Sequence, residues 1–194
     1  MNIDKIQALL ESKKPQLRNS INQAIDEVDS SPNLREMIKF IGQSISSGRR
    51  IAFAGNGGSA AEAMHIAAEF TGKCVVPHDP WPVMCLNESQ SALTAIGNDY
   101  GFEHIFSRMV EAHLTKGDVL ILLSTSGTSQ NIIRAIESAS KRGVQTYLWT
   151  GSKCATENTE FLTVLRAPAT STPRIQEIHL IWGHLLAEVI EESI

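Results

Sequence analysis

At 194 residues, with 42% hydrophobic and 20% charged side chains, the chain has the makings of one globular domain with a sizeable core, and disorder is excluded. A formal net charge of -4 with scattered basic residues leaves no electrostatic footprint for nucleic acid or an anionic membrane, so small molecules are the expected partners. The longest apolar runs, such as VLILLS at 119–124, are too short to span a bilayer, and MNIDKIQALLESKK lacks the apolar stretch of a signal peptide, so a cytoplasmic location is expected.

Residues 2–29 and 33–47 carry apolar positions at helical spacing, among them Ile3, Ile6, Leu9 and Leu10, then Leu34, Met37, Ile38 and Ile41. Ser31-Pro32 separates the two helices. This segment, residues 1–48, precedes the sheet, and its broad apolar face needs a partner that the crossover helices do not provide. Self-association into a homo-oligomer is the simplest one.

RRIAFAGN (49–56), WPVMCLN (81–87), DVLILLSTS (118–126), VQTYLWTG (144–151) and EFLTVLRAP (160–168) read as short buried strands. Between most of them lie helical patterns: SAAEAMHIAAEF, the run from Ser89 to Leu114 with a break at Gly97-Asn98, and SQNIIRAIESASKR. Strands that alternate with helices and are apolar throughout predict a doubly wound five-stranded parallel sheet, within a single domain spanning 1–194 whose α/β core covers 49–194. Pro173 to Glu192 reads as one long closing helix. Cys74, Cys85 and Cys154 are odd in number and far apart, which fits core thiols better than disulfides or a thiolate zinc site.

In such a sheet ligands bind beyond the carboxyl ends of the strands. The first of these ends is AGNGGS, where Gly57 and Gly58 let backbone approach a ligand and Ser59 can cap the next helix. A tight strand-to-helix turn needs the same residues. A dinucleotide is disfavoured, because no acidic residue closes WPVMCLN to hold a ribose. The second end is LLSTSGTSQN, where Ser124, Thr125, Ser126, Thr128 and Ser129 surround Gly127 just before a helix. Five hydroxyls exceed the needs of one N-cap and make a neutral cradle for a phosphate monoester, and the lysine of a nucleotide-binding P-loop is missing.

His65 and Glu69 stand four apart on the alanine-rich helix after the glycine turn, so both project from one face. Such a pair is commonly a surface contact, but a small-residue helix packs closely. The closing helix adds Gln176, Glu177, His179 and His184 as candidates for a second half-site.

Taken together, GNGGSAAEAMH, AIGNDYGF, LLSTSGTS and PRIQEIH, in order and matching in spacing, resemble the SIS (sugar isomerase) domain family, in particular its phosphoheptose isomerase branch, over essentially the whole chain. The resemblance implies a flavodoxin-like sandwich, a homotetramer with sites near subunit interfaces, and interconversion of sedoheptulose 7-phosphate and D-glycero-D-manno-heptose 7-phosphate through an enediol. It implies a place in heptose synthesis for lipopolysaccharide or other surface glycans. It also implies zinc on His65, Glu69, Gln176 and His184, with proton transfer by Glu69 and His184. The substrate contacts it implies are Asn56, Gly57, Gly58, Glu69, Asn98, Asp99, Ser124, Thr125, Ser126, Ser129 and Gln176.

On an ideal helix Gln176 and His184 lie about 12 Å apart along the axis and about 80° apart in rotation, so a shared ion requires leaning side chains or ligands from two chains. Thr128 and Glu62 stand where the family usually has Asn and Asp, SKCATENTEF lacks the usual glycine pair, and the segment 74–84 with His78, Pro80 and Trp81 matches none of the blocks. Some relatives in this family are non-catalytic and bind a sugar phosphate or a replication initiator. Retention of both Glu69 and His184, a base and a metal ligand, argues for the enzyme.

Overall fold

The computed structural model describes residues 2–194 and centres on a sheet of five parallel strands. These are β1 (Ile51–Gly55), β2 (Val83–Cys85), β3 (Val119–Leu123), β4 (Gln145–Gly151) and β5 (Leu162–Ala167), in the order β2-β1-β3-β4-β5. β1 and β3 are buried at every position, which is why IAFAG and VLILL show no polar alternation. The order reverses between β1 and β3, so the crevice beyond their carboxyl ends is the topological switch point where α/β sheets take ligands.

The helices are α1 (Ile3–Ser30), α2 (Pro32–Ser46), α3 (Gly58–Thr71), α4 (Gln90–Tyr100), α5 (Ile105–His113), α6 (Gln130–Lys141) and α7 (Thr172–Ser193). Strand side chains alternate between two cores. Ile51, Phe53, Ile121 and Trp149 meet α2, α3 and α7 on one face. Ala52, Ala54, Leu120, Leu122 and Leu148 meet α5 and α6 on the other. The doubly wound sandwich expected from the sequence is therefore present. Cys85 and Cys154 are buried free thiols, and Cys74 is a half-buried one.

Three expectations need correction. The helix over 90–100 runs unbroken through Gly97 and Asn98, and the break falls at Gly101, whose φ of 93 only glycine adopts readily. A Cβ at Gly97 would make ordinary contact with Ile105 Cγ2 at 3.8 Å, so nothing there forces the helix to stop. β2 is only three residues long, because Pro82 cannot donate to the ladder and Asn87 turns its side-chain amide onto the backbone of Gly55. Finally, the apolar face of residues 2–47 divides. α2 belongs to the core, with Leu34, Met37, Ile41 and Ile45 buried and Trp149 Nε1 facing Met37 Sδ at 3.3 Å. On α1 only Ser20 and Ala24 are buried, while Ile3, Leu9, Leu10, Leu17, Ile21 and Ile25 stay exposed.

Candidate active site

Leaving β1, the chain turns at Gly57, whose φ of 56 and ψ of -121 suit a residue without Cβ. Gly58 leaves the space that Gln176 occupies: a Cβ there would lie 2.4 Å from Gln176 Nε2 and would turn that side chain aside. Gly58 thus admits a side chain of α7 to the turn. Ser59, expected as the cap, makes no cap bond; it is buried inside the first turn, and Gln176 Nε2 donates to its Oγ at 3.4 Å.

Across the switch point lies the β3–α6 loop. Ser124 Oγ accepts from the Gly127 amide at 3.1 Å, which folds the loop back on itself. Ser126 Oγ accepts from the Thr128 amide at 3.2 Å and from Thr128 Oγ1 at 3.1 Å, so its own proton is free to be donated outward. Ser129 occupies the N-cap of α6 but makes no side-chain cap bond. The hydroxyls are therefore not an over-provisioned cap. Thr125 is half-buried, with its carbonyl accepting from the Gly151 amide at 3.2 Å.

One strut joins the two loops. Asn56 Nδ2 donates to Asn131 Oδ1 at 2.9 Å, and Asn131 Nδ2 returns the bond to Asn56 Oδ1 at 2.8 Å. Asn131 is fully buried and was missed in the sequence, where it is one polar residue among several at a helix start. Asn98 and Asp99 sit exposed at the end of α4, bonded to each other at 2.7 Å.

Beyond the glycine turn, α3 and α7 lie side by side. His65, Glu69 and His184 bring one ligand atom each within 4.8 Å of one another. His65 Nε2 faces His184 Nε2 at 2.8 Å, and Glu69 Oε1 stands 3.4 Å from His65 Nε2. Two imidazole nitrogens aimed at each other need a proton or a cation between them, and the adjacent carboxylate favours a cation. Two imidazoles and a carboxylate form a donor set that fits zinc. Gln176 stands apart, two helical turns before His184 and over Gly58, so within one chain three of the four sequence-derived ligands converge.

The other candidates on α7 are occupied elsewhere. His179 is fully buried beside Trp149 and Trp182, where desolvation lowers its imidazole to about 4 and keeps it neutral. Glu177 Oε1 accepts from Arg174 Nη2 at 2.6 Å on the surface. One turn before His65, Glu62 buries both carboxylate oxygens without a hydrogen-bond partner. Burial pushes its carboxyl up to about 7, and the nearby Ser59 hydroxyl offsets only part of that. An apolar groove of about 940 Å³ lies away from all of this, between α2 and the end of α7.

A sequence model of the SIS domain matches residues 16–151. The chain is 44% identical to a phosphoheptose isomerase of Rhodospirillum rubrum over 166 residues, covering 86% of this chain and 88% of that one. It is 46% identical to a phosphoheptose isomerase of a Nitratiruptor species over 151 residues, 78% of this chain and 81% of that one. Among solved structures, the phosphoheptose isomerase of Neisseria gonorrhoeae superposes with a TM-score of 0.84 at 35% identity, covering 96% of this chain and all of that one.

Proposed function

Because this chain belongs to the SIS domain family and to its phosphoheptose isomerase branch, we propose that it is an aldose-ketose isomerase of sedoheptulose 7-phosphate, serving heptose synthesis for surface glycans. The observation that carries the chemistry is the convergence of His65, Glu69 and His184 from two helices. An aldose-ketose exchange needs one group to take a proton from carbon and another to move protons between oxygens. Glu69 supplies the carboxylate base. His184 supplies an imidazole, a side chain that can pass a proton between oxygens.

We assign zinc to His65, Glu69 and His184, with Gln176 as a further donor that reaches it by rotating off Ser59 or from a second chain. When bound, zinc acts as a Lewis acid that polarises the sugar oxygens and stabilises negative charge at them. The β1–α3 turn and the β3–α6 loop, held together by Asn56 and Asn131, form the cradle for the rest of the sugar phosphate. Asn98 and Asp99 complete it from α4.

The test is direct. Purified protein supplied with zinc should convert sedoheptulose 7-phosphate to an aldose, lose that activity to a chelator, and ignore unphosphorylated sedoheptulose. Binding of the sugar phosphate without conversion would establish the non-catalytic alternative instead.

Ser126→Ala is expected to raise KM about 10-fold and to change kcat far less, because the free hydroxyl proton is one charge-assisted bond to the phosphate. An unchanged KM removes the loop from the site. The exposed apolar stripe of α1, together with the groove beside α2, supports a homo-oligomer, which we take to be a tetramer. Light scattering at micromolar concentration should return about four chain masses, and a monomer mass would rule this out. We place the protein in the cytoplasm, with its phosphorylated substrate.

A further inference from the structure

Glu191 lies seven residues after His184 on α7, and seven residues turn an ideal helix by about 700°, within about 20° of two full turns. The two side chains therefore share one stripe of the helix, about 10 Å apart. The Glu191 side chain is 0% exposed, yet it is charged, and a buried charge is tolerated only when it is fully partnered. Its partners come from the segment that leaves α3. Oε1 accepts from the Cys74 amide at 2.6 Å, and Oε2 accepts from the Val75 and Val76 amides at 2.8 and 2.9 Å.

Three consecutive amides converging on one anion form a backbone nest. His78 adds a charge contact rather than a hydrogen bond, with Nε2 3.2 Å from Oε1. Its ring is itself held, stacked on Trp81 at 3.7 Å between centroids, with Nδ1 against the Asp79 carbonyl at 2.7 Å. Trp81 closes the loop by donating its amide to the Phe70 carbonyl of α3 at 3.3 Å. Burial alone would raise the Glu191 carboxyl; the three amides and His78 outweigh it and hold the group below the usual carboxylate range.

We infer that Glu191 is a positioning residue for the metal triad: by clamping the chain five residues past Glu69 onto the stripe that carries His184, it fixes the separation of α3 from α7. The inference rests on the reading that His65, Glu69 and His184 bind zinc. Two contacts hold the helix pair around the triad, close packing of Gly183 on Ile66 beside the histidines and Glu191 at the end. Without the last, the ends of both helices that carry Glu69 and His184 lose their shared anchor.

The experiment compares full-length wild type with Glu191→Ala, Glu191→Gln and His78→Gln. Each metal-free protein is titrated with cobalt(II), followed by visible absorption, and zinc affinity is measured by competition with a chelator. Melting is recorded in excess chelator, so that stability is read apart from the metal. Glu191→Ala should weaken metal binding by about 10- to 100-fold, the usual effect of losing a group that orients metal ligands. Glu191→Gln keeps an oxygen for the amides and should lie between Glu191→Ala and wild type; it carries the test if the alanine variant does not fold. His78→Gln, which leaves the nest intact, should weaken binding only a few-fold. At saturating zinc Glu191→Gln should regain much of its kcat. Unchanged metal affinity in both Glu191 variants, with only the melting point lowered, overturns the positioning role and leaves the zinc reading standing. A wild type that binds neither metal overturns the zinc reading and this inference together.

Discussion

Glu69→Gln is expected to fold and to retain much of the substrate affinity, while kcat falls by about 100-fold or more, the usual scale for losing a general base. A 100-fold loss corresponds to about 2.7 kcal/mol of transition-state stabilisation. The substitution is nearly isosteric and the side chain is 19% exposed, so the helix has no packing reason to move. Glutamine cannot accept a proton from carbon, and it is a weaker metal ligand, so two losses would be superposed in kcat. Solvent exchange separates them. With zinc saturating, wild type should wash deuterium into C1 or C2 of the sugar, and Glu69→Gln should not. Exchange at the wild-type rate in the variant would show that Glu69 is not the base and would remove α3 from the chemistry.

Sequence patterning revealed the sheet because burial on both faces writes itself as runs such as IAFAG and VLILL, and the intervening helices dictate parallel strands. Local rules reached less far where tertiary contacts decide. Gly97-Asn98 has the composition of a turn, but the helix runs on to Tyr100 and stops only at Gly101, which takes a positive φ. α2 reads as one of two similar amphipathic helices, and only the structure shows it covering the sheet while α1 stays largely bare.

The candidate site divides in the same way. His65 and Glu69 are legible from their spacing on one helix. That His184, rather than His179 or Glu177, meets them depends on which face of α7 packs on α3, and helical spacing alone offers all three. The Asn56–Asn131 strut joins residues 75 apart, and the Glu191 clamp reaches back 115 to 117 positions. Neither carries a local signature: the strut pairs two side chains far apart in the chain, and the clamp pairs one side chain with three distant backbone amides.

Gly183→Ala is expected to destabilise the fold and to disrupt the triad, although alanine is the better helix former by about 1 kcal/mol. A Cβ at Gly183 would lie 2.4 Å from Ile66 Cδ1 and 2.5 Å from Ile66 Cγ1, far inside contact distance. Ile66 is fully buried in the core, so it has no open space to swing into. Overpacking of this kind costs about 1–3 kcal/mol, enough to outweigh the gain in helix propensity. On a domain of this size a net loss of 1 kcal/mol lowers Tm by about 2–4 °C. The larger effect falls on function, because Ile66 follows His65 and Gly183 precedes His184, and the contact that sets the helix spacing adjoins the pair of imidazoles facing each other at 2.8 Å. Pushing α3 from α7 separates these donors, and metal affinity should drop by at least about 10-fold, the scale seen when ligand orientation is disturbed. Ile66→Ala leaves a cavity on its own, but combined with Gly183→Ala it removes the clash, so the pair should be less destabilised than the sum of the single variants. A Gly183→Ala protein that melts no lower than wild type and binds cobalt as tightly would show that the glycine is not what holds the two helices at this distance.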